Sequence, residues 1–269
     1  MRKYVKIFYL ALVLAFIYVP ILVLAVYSFT DATTVGGAVK GFSFDNYINL
    51  FKNEELRSMI LGTLLLAFIC AAISTVLATL GAIGAFYSKK LPKTLLNTAN
   101  QVPVVNADIV TGFSVCILLI VILHIGKDTF IPLGIGHVVL TAPFVYLSIL
   151  PKLKQMDNSL YEAALDLGAT PFQALIKVVI PQLIPGILSG FMLAVTLSLD
   201  DYFITTYTKP SSFDTISTYV VNATRGSQTE IKTALWALST LIFLVVVIAV
   251  AIMNLTSRSK KEAKSEKSV

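Results

Sequence analysis

Six long apolar runs decide what this chain can fold into. They are Ile7 to Phe29, Met59 to Tyr87, Ile109 to Ile125, Phe130 to Leu150, Ile184 to Leu199 and Thr233 to Leu255. A helix that crosses a bilayer needs about 20 apolar residues. The third and fifth runs reach that length only if Asp108 and the Asp200–Asp201 pair lie inside or at the edge of their spans. We therefore predict an all-α integral membrane protein with six transmembrane helices.

Composition supports a membrane location and excludes several other classes. The 269 residues are 56% hydrophobic and 13% charged, whereas a soluble domain carries about 25% charged residues. The two cysteines, Cys70 and Cys116, fall inside apolar runs and give neither a disulfide framework nor a metal-binding spacing. The net charge of +6 would suggest nucleic acid in a soluble protein, but in a membrane protein it is first tested against topology.

Basic residues predict the orientation of the chain. Most of the 21 Lys and Arg fall in the N-terminal segment, the loops around 88–101 and 151–183, and the tail after the sixth run. Cytoplasmic segments carry such an excess, so we place both termini in the cytoplasm. The excess charge is thereby explained without a nucleic-acid partner. The tail, 257–269, is polar and lacks aromatic residues, which predicts a disordered cytoplasmic segment.

Motifs for catalysis or cofactor binding are absent from the sequence. No phosphate-binding G-x-x-x-x-G-K-[ST] loop and no G-x-S-x-G nucleophile motif occurs. The two histidines, His124 and His137, lack ligand spacing and a Cys or Glu companion, so we expect ordinary histidines at the membrane edge. We predict that the chain is not an enzyme and binds neither a metal nor a cofactor.

The stretch Tyr161–Pro185 interrupts the apolar pattern with a helix, a break and a second helix. Gly168 follows a strong helix-forming run and is a good C-terminal stop. Thr170 is a candidate N-cap, and Pro171 suits the first helical position because its missing N–H costs nothing there. Pro181 is interpreted as marking a boundary between this segment and the fifth apolar run. The pattern therefore predicts a small cytoplasmic segment, the knob, to which a soluble partner can bind.

Acidic residues at membrane depth are the other chemical signal. Asp200 and Asp201 follow the fifth run, in its outer half, where a carboxylate is expensive and usually faces a bundle interior or an aqueous path. Adjacent helical residues point about 100° apart, so one of the pair should line a path while the other packs or pairs. Capping of a helix break is the structural alternative. For Asp108, at the start of the third span, stabilisation by the helix dipole is favoured over solute contact.

The knob resembles the E-A-A loop of ABC-importer permeases. The motif stands here as Glu162-Ala163-Ala164, Gly168 and the segment Val178–Pro181, with the family spacing throughout. The resemblance implies a type I ABC-importer permease fold over a transmembrane domain of residues 1–256, with the coupling loop at about 155–183. It also implies that this loop docks on a separate cytoplasmic ATPase dimer, which uses the ATP, and that Glu162, Ala163, Ala164, Gly168 and Pro181 shape it.

Within this family the chain is most similar to second permease subunits of spermidine/putrescine importers. The segments YEAALDLGAT and LSLDDYFITTYTKP carry this likeness. It implies a second, different permease subunit, an extracellular or periplasmic polyamine-binding protein, and a translocation path that includes Asp200, Asp201, Tyr202 and Asp108. Carboxylates and tyrosines suit a polycation, although a metal cation as solute stays open.

Two further classes compete with the importer. In an ion-coupled secondary transporter or channel, Asp108, Asp200 and Asp201 would bind the coupling ion and the Glu162 segment would be a linker. A membrane scaffold without transport would leave the acids at membrane depth unexplained. The spacing of the Ala-Ala-Gly knob favours the importer over both.

Overall fold

The computed structural model describes residues 2–32, 39, 41–157, 159–225 and 233–244, and their regular structure is helical apart from one isolated bridge between Thr30 and Phe42. In chain order the helices are α1 (Arg2–Ser28), α2 (Asp45–Lys52), α3 (Glu54–Tyr87), α4 (Lys90–Val105), α5 (Asp108–Ile122), α6 (Phe130–Gln155), α7 (Ser159–Asp166), α8 (Pro171–Asp200), α9 (Phe203–Thr208), α10 (Ile216–Arg225) and α11 (Thr233–Leu244). The predicted all-α class is confirmed for this part of the chain.

Four of these helices, α1, α3, α6 and α8, are long and apolar enough to cross a membrane. The third apolar run differs from its prediction. It belongs to a pair, α4 and α5, that bends by 108° at the break between them, and the pair could count as a fifth span. The sixth run is described only as α11, so the number six stays a prediction, and the tail 257–269 lies outside the described residues.

The 88–101 segment, interpreted from the sequence as a loop, is largely helical because α4 begins at Lys90. Asn106 and Ala107 then adopt extended backbone and separate α4 from α5. The apolar run thus begins at a sharp corner of the chain, which hydropathy alone does not reveal.

The chain divides into two compact units, residues 1–57 with 220–269, and Ser58–Tyr219. In the first unit, the end of α1 is tied to α2 by Asn46. Its side-chain amide donates to the carbonyls of Ser28 and Thr30, both at 3.1 Å. The last carbonyls of a helix have no intrahelical partner, so this amide caps α1 at Ser28 and also holds Thr30, just beyond the end of the helix.

The second unit is built on a core shared by α3, α6 and α8. Two glycines of α8, Gly186 and Gly190, lie four residues apart at the contact with α6. A Cβ at Gly190 would meet Val145 Cγ1 at 2.9 Å, and one at Gly186 would meet Lys152 Cγ at 2.9 Å. Small residues at this spacing let two membrane helices approach closely.

The prolines in α8 do not end the helix, which corrects the interpretation of Pro181 as a boundary. Residues Leu175–Val179 form a π-helical turn, and α-helical geometry resumes at Ile180. Pro181 therefore stands in a first α-helical turn, where a missing N–H costs little. Such a π-helical turn accommodates a proline within a continuous helix, so the second helix of the knob and the fifth apolar run form one helix of 30 residues, Pro171–Asp200.

Candidate functional site

Helix α7 carries the Glu162-Ala163-Ala164 motif between α6 and α8. The Ser159 backbone N–H donates to Asp157 Oδ1 at 3.0 Å, and the hydrogen bonds from Ser159 hold the pKa of Asp157 below its ordinary value. Tyr161 packs against Tyr87 at the end of α3, with ring centroids 5.1 Å apart. One face of α7 is thereby fixed to the helix bundle.

The end of α7 is a Schellman turn centred on Gly168. Gly168 has φ +85°, the left-handed conformation that glycine adopts without penalty. Its N–H donates to the Leu165 carbonyl at 2.9 Å, and the Ala169 N–H donates to the Ala164 carbonyl at 3.0 Å. These two bonds define the motif, so the stop predicted at Gly168 is confirmed.

The start of α8 is a capping box at Thr170. The Gln173 N–H donates to Thr170 Oγ1 at 3.3 Å, and the Thr170 N–H donates to Gln173 Oε1 at 3.1 Å. Pro171 occupies the first turn. The predicted N-cap and first helical position are confirmed. The capping box satisfies two N–H groups at the helix start, and Pro171 has no N–H group that would need a partner there.

The exposed surface of the knob includes polar residues and two large apolar side chains. Glu162 and Ala163 are exposed, whereas Ala164 is half-buried. Leu167 is 89% exposed and Phe172 is 71% exposed. Both are large apolar side chains that the described part of this chain leaves uncovered.

Asp201 lies in the break between α8 and α9 with 3% of its side chain exposed. Its Oδ1 accepts from the Ile204 N–H at 3.2 Å, and its Oδ2 accepts from the Thr205 N–H and hydroxyl, both at 2.7 Å. The N-cap position of this helix is Tyr202, which makes no side-chain capping bond, and Asp201 caps the first turn from one residue further out. The carboxylate is thus occupied in holding the first turn of α9, which is the structural alternative left open by the sequence.

Asp200, the last residue of α8, is exposed. The C-terminus of a helix repels a negative charge, so this position is electrostatically unfavourable without a cation nearby. Tyr202 is half-buried beside it and packs edge-on against Phe203, with ring centroids 5.3 Å apart. Of the two adjacent acids, therefore, Asp201 is buried and paired while Asp200 is accessible.

Asp108 is exposed in the first turn of α5. The N-cap, Ala107, makes no side-chain bond, and a negative charge in the first turn, such as that of Asp108, is stabilised by the helix dipole. One turn further on, a Cβ at Gly112 would lie 3.0 Å from Ile204 Cα. The contact of α5 with α9 is thus made at Gly112 and Ile204, each four residues beyond Asp108 and Asp200 respectively.

His137 is the residue that sequence reasoning missed. It is fully buried, because it lies two turns into α6, where α8 and α9 pack against it; its position at the membrane edge stays a prediction. Its Nδ1 lies 2.7 Å from Ser198 Oγ, and its Nε2 lies 3.1 Å from Thr205 Oγ1. An apolar run around a lone histidine gave no signal for this network. His124, by contrast, is exposed, and its Nδ1 lies 3.0 Å from the Ile122 carbonyl oxygen.

Known proteins similar to this chain are found by sequence and by structure. The family described as binding-protein-dependent transport system inner membrane component matches residues 1–261. The putrescine transport system permease protein PotI of Escherichia coli strain K12 is 31% identical over 88% of this chain and 85% of PotI. The spermidine/putrescine transport system permease protein PotC of Haemophilus influenzae is 27% identical over 92% of this chain and 95% of PotC.

Among solved structures, a bacterial ABC transporter involved in the import of the acidic polysaccharide alginate has a TM-score of 0.70 at 20% identity, and the match covers 93% of this chain and 96% of that one. At this identity the likeness concerns the fold alone.

Proposed function

Because this chain belongs to the family of binding-protein-dependent transport system inner membrane components, we propose that it is the membrane permease subunit of an ATP-driven importer for polyamines. The observation that carries the solute class is the 31% identity to a putrescine permease over 88% of this chain. The accessible Asp200 beside Tyr202 agrees with a cationic solute, because a carboxylate with an adjacent ring can hold an amine by charge and by cation–π contact.

For coupling, we propose that α7 docks in a groove of a separate cytoplasmic ATPase subunit. Exposed Leu167 and Phe172 would supply apolar contact, and Glu162 with Ala163 would form the exposed face of α7 that enters the groove. Ala164 and Gly168 set the turn that ends α7, and Pro181 stands where α8 regains α-helical geometry. Movement of the ATPase pair would then pass along the unbroken α8 to the break at Asp201.

For the translocation path, we propose that Asp200, Tyr202 and Asp108 contact the solute. Asp201 contributes by a different route in this proposal, since its carboxylate is filled by hydrogen bonds from α9. It would fix the break at which Asp200 and Tyr202 stand.

The rest of the assembly follows from the family and from the charge pattern. We propose a second permease subunit of different sequence, a dimer of ATPase subunits in the cytoplasm and an external polyamine-binding protein. Both termini lie in the cytoplasm in this arrangement, with six spans, of which the α4–α5 pair and the sixth apolar run form two.

The deciding experiment is uptake of radiolabelled spermidine and putrescine into vesicles that contain all four components, with and without ATP on the ATPase side. ATP-dependent accumulation of a polyamine would support both the class and the solute. Activity that needs ATP but ignores polyamines would keep the permease and overturn the solute. Uptake driven by an ion gradient and indifferent to ATP would favour an ion-coupled carrier.

A further inference from the structure

A buried polar cluster joins α6, α8 and α9 in the membrane-spanning part of the molecule. His137 is 0% exposed and Asp201 is 3% exposed, and Ser198 and Thr205 complete the cluster. Every buried side-chain N or O among the described residues has a hydrogen-bond partner. Burying a polar group costs free energy unless the group is hydrogen-bonded, so we ask what the complete pairing of this cluster achieves.

The carboxylate sets the direction of the hydrogen bonds. An ionised Asp201 can only accept, so the Thr205 hydroxyl donates to Asp201 Oδ2 over the 2.7 Å that separate them. A hydroxyl has one hydrogen, so Thr205 Oγ1 must accept from His137 Nε2, 3.1 Å away. His137 therefore carries a hydrogen on Nε2.

The other ring nitrogen completes the chain. In a neutral imidazole the second nitrogen is an acceptor, so His137 Nδ1 accepts from the Ser198 hydroxyl at 2.7 Å. An imidazolium beside a carboxylate would donate to it directly at about 2.7–2.9 Å. Here His137 Nε2 is 3.8 Å from Asp201 Oδ2, too far for a hydrogen bond, and the Thr205 hydroxyl stands between them. The geometry fits a neutral ring in a one-way chain.

The chain ends at the break between α8 and α9. Besides its carboxylate bonds, Asp201 accepts a hydrogen bond from the Ser217 hydroxyl at its backbone carbonyl. The break is thus held from α6 through His137 and from α10 through Ser217. Asp200 and Tyr202 are the immediate neighbours of the residue so held.

We propose that His137, as the neutral Nε2–H tautomer, is a positioning residue for the translocation path: its hydrogen-bond chain through Thr205 to Asp201 fixes the break that presents Asp200 and Tyr202. This inference rests on the proposed function. His137 does not contact the solute; it acts through Asp201.

The first test is the ¹⁵N spectrum of histidine-labelled protein, purified with a tag free of histidine and reconstituted in lipid at neutral pH. The chain has two histidines, so two sets of signals are expected, and His124→Gln assigns them. We expect His137 to show a protonated Nε2 and an unprotonated, hydrogen-bonded Nδ1. A protonated Nδ1 in His137, alone or in an imidazolium, would overturn the proposed chain.

The second test is ATP-driven uptake by variants in the reconstituted importer. His137→Leu and Thr205→Val each interrupt the chain and should lower maximal uptake about tenfold, which is 1.4 kcal/mol. His137→Gln keeps a donor toward Thr205 and should stay within about threefold of wild type. His124→Gln is the matched control and should leave uptake unchanged.

A double-mutant cycle separates positioning from stability. Because His137 is proposed to present Tyr202 as well as Asp200, its loss should exceed that of Asp200→Asn. The combined variant His137→Leu with Asp200→Asn should then transport no more slowly than His137→Leu alone, because the contribution of Asp200 is already lost in that variant. Losses that multiply would show an independent structural effect and overturn the proposal. Absence of polyamine uptake by the wild type would instead refute the proposed function, and the ¹⁵N spectrum would still decide the state of His137.

Discussion

The conformation of Gly168 makes the sharpest test of the coupling knob. Its φ is +85°, and a Cβ built there meets nothing within 4 Å. A substitution therefore changes the energy of the backbone without any steric clash. The left-handed conformation costs an L-residue with a side chain about 1–2 kcal/mol. The cost is smaller for Asn, because its short side chain tolerates this region.

From these energies we expect a graded loss of coupling. Gly168→Ala should depopulate the turn by about 5- to 30-fold, the factor that 1–2 kcal/mol represents. Gly168→Val should lose more, because a β-branched residue is an outlier at positive φ. Gly168→Asn, the control of larger volume, should lose least.

The assay is the affinity of the purified ATPase subunit for the permease in lipid nanodiscs, with ATP-driven uptake measured in parallel. Far-UV circular dichroism checks that each variant keeps its helices. If Asn weakens binding as much as Ala or more, the side chain rather than the backbone is responsible, and the argument from φ is refuted. Wild-type affinity in all three variants would show that this turn plays no part in docking.

Three further predictions concern packing, capping and charge. Gly136→Ala places a Cβ 2.6 Å from Ile204 Cγ2 and should destabilise the permease by about 1–3 kcal/mol, which would lower its thermal unfolding midpoint in detergent. Gly134→Ala is the control, because its Cβ meets nothing within 4 Å. Equal unfolding midpoints for the two variants would contradict the packing at Gly136. Thr170→Ala removes the capping box and should cost about 0.5–2 kcal/mol at the start of α8, visible as faster hydrogen exchange of the Gln173 amide; unchanged exchange would argue against the cap. Asp200→Asn should reduce polyamine uptake about two- to fivefold, the range of a single accessible charge pair, while ATPase binding stays at wild-type level; undiminished uptake would remove this residue from the path.

Local chemistry was readable from the sequence wherever the interacting groups lie within a few residues of one another. The Schellman turn at Gly168 and the capping box at Thr170 each involve a short stretch of backbone, so residue type and spacing were enough to place them. The same holds for the long apolar spans, since hydropathy needs no partner. Residue type and spacing were not enough at the prolines of α8. A π-helical turn at Leu175–Val179 accommodates Pro181 within a continuous helix, where the sequence suggested a boundary.

What only the tertiary structure decided is which polar groups meet. Asp200 and Asp201 are neighbours with the same side chain, yet one is exposed and the other is buried, because α9 folds back over Asp201. His137 is distant in sequence from Ser198 and Thr205, and no pattern in an apolar run announces that these three will share a network. The burial of a side chain depends on all the helices that surround it. For that reason the sequence determined the class of protein and the two turns of the knob, at Gly168 and Thr170, whereas packing determined which of Asp200 and Asp201 is buried.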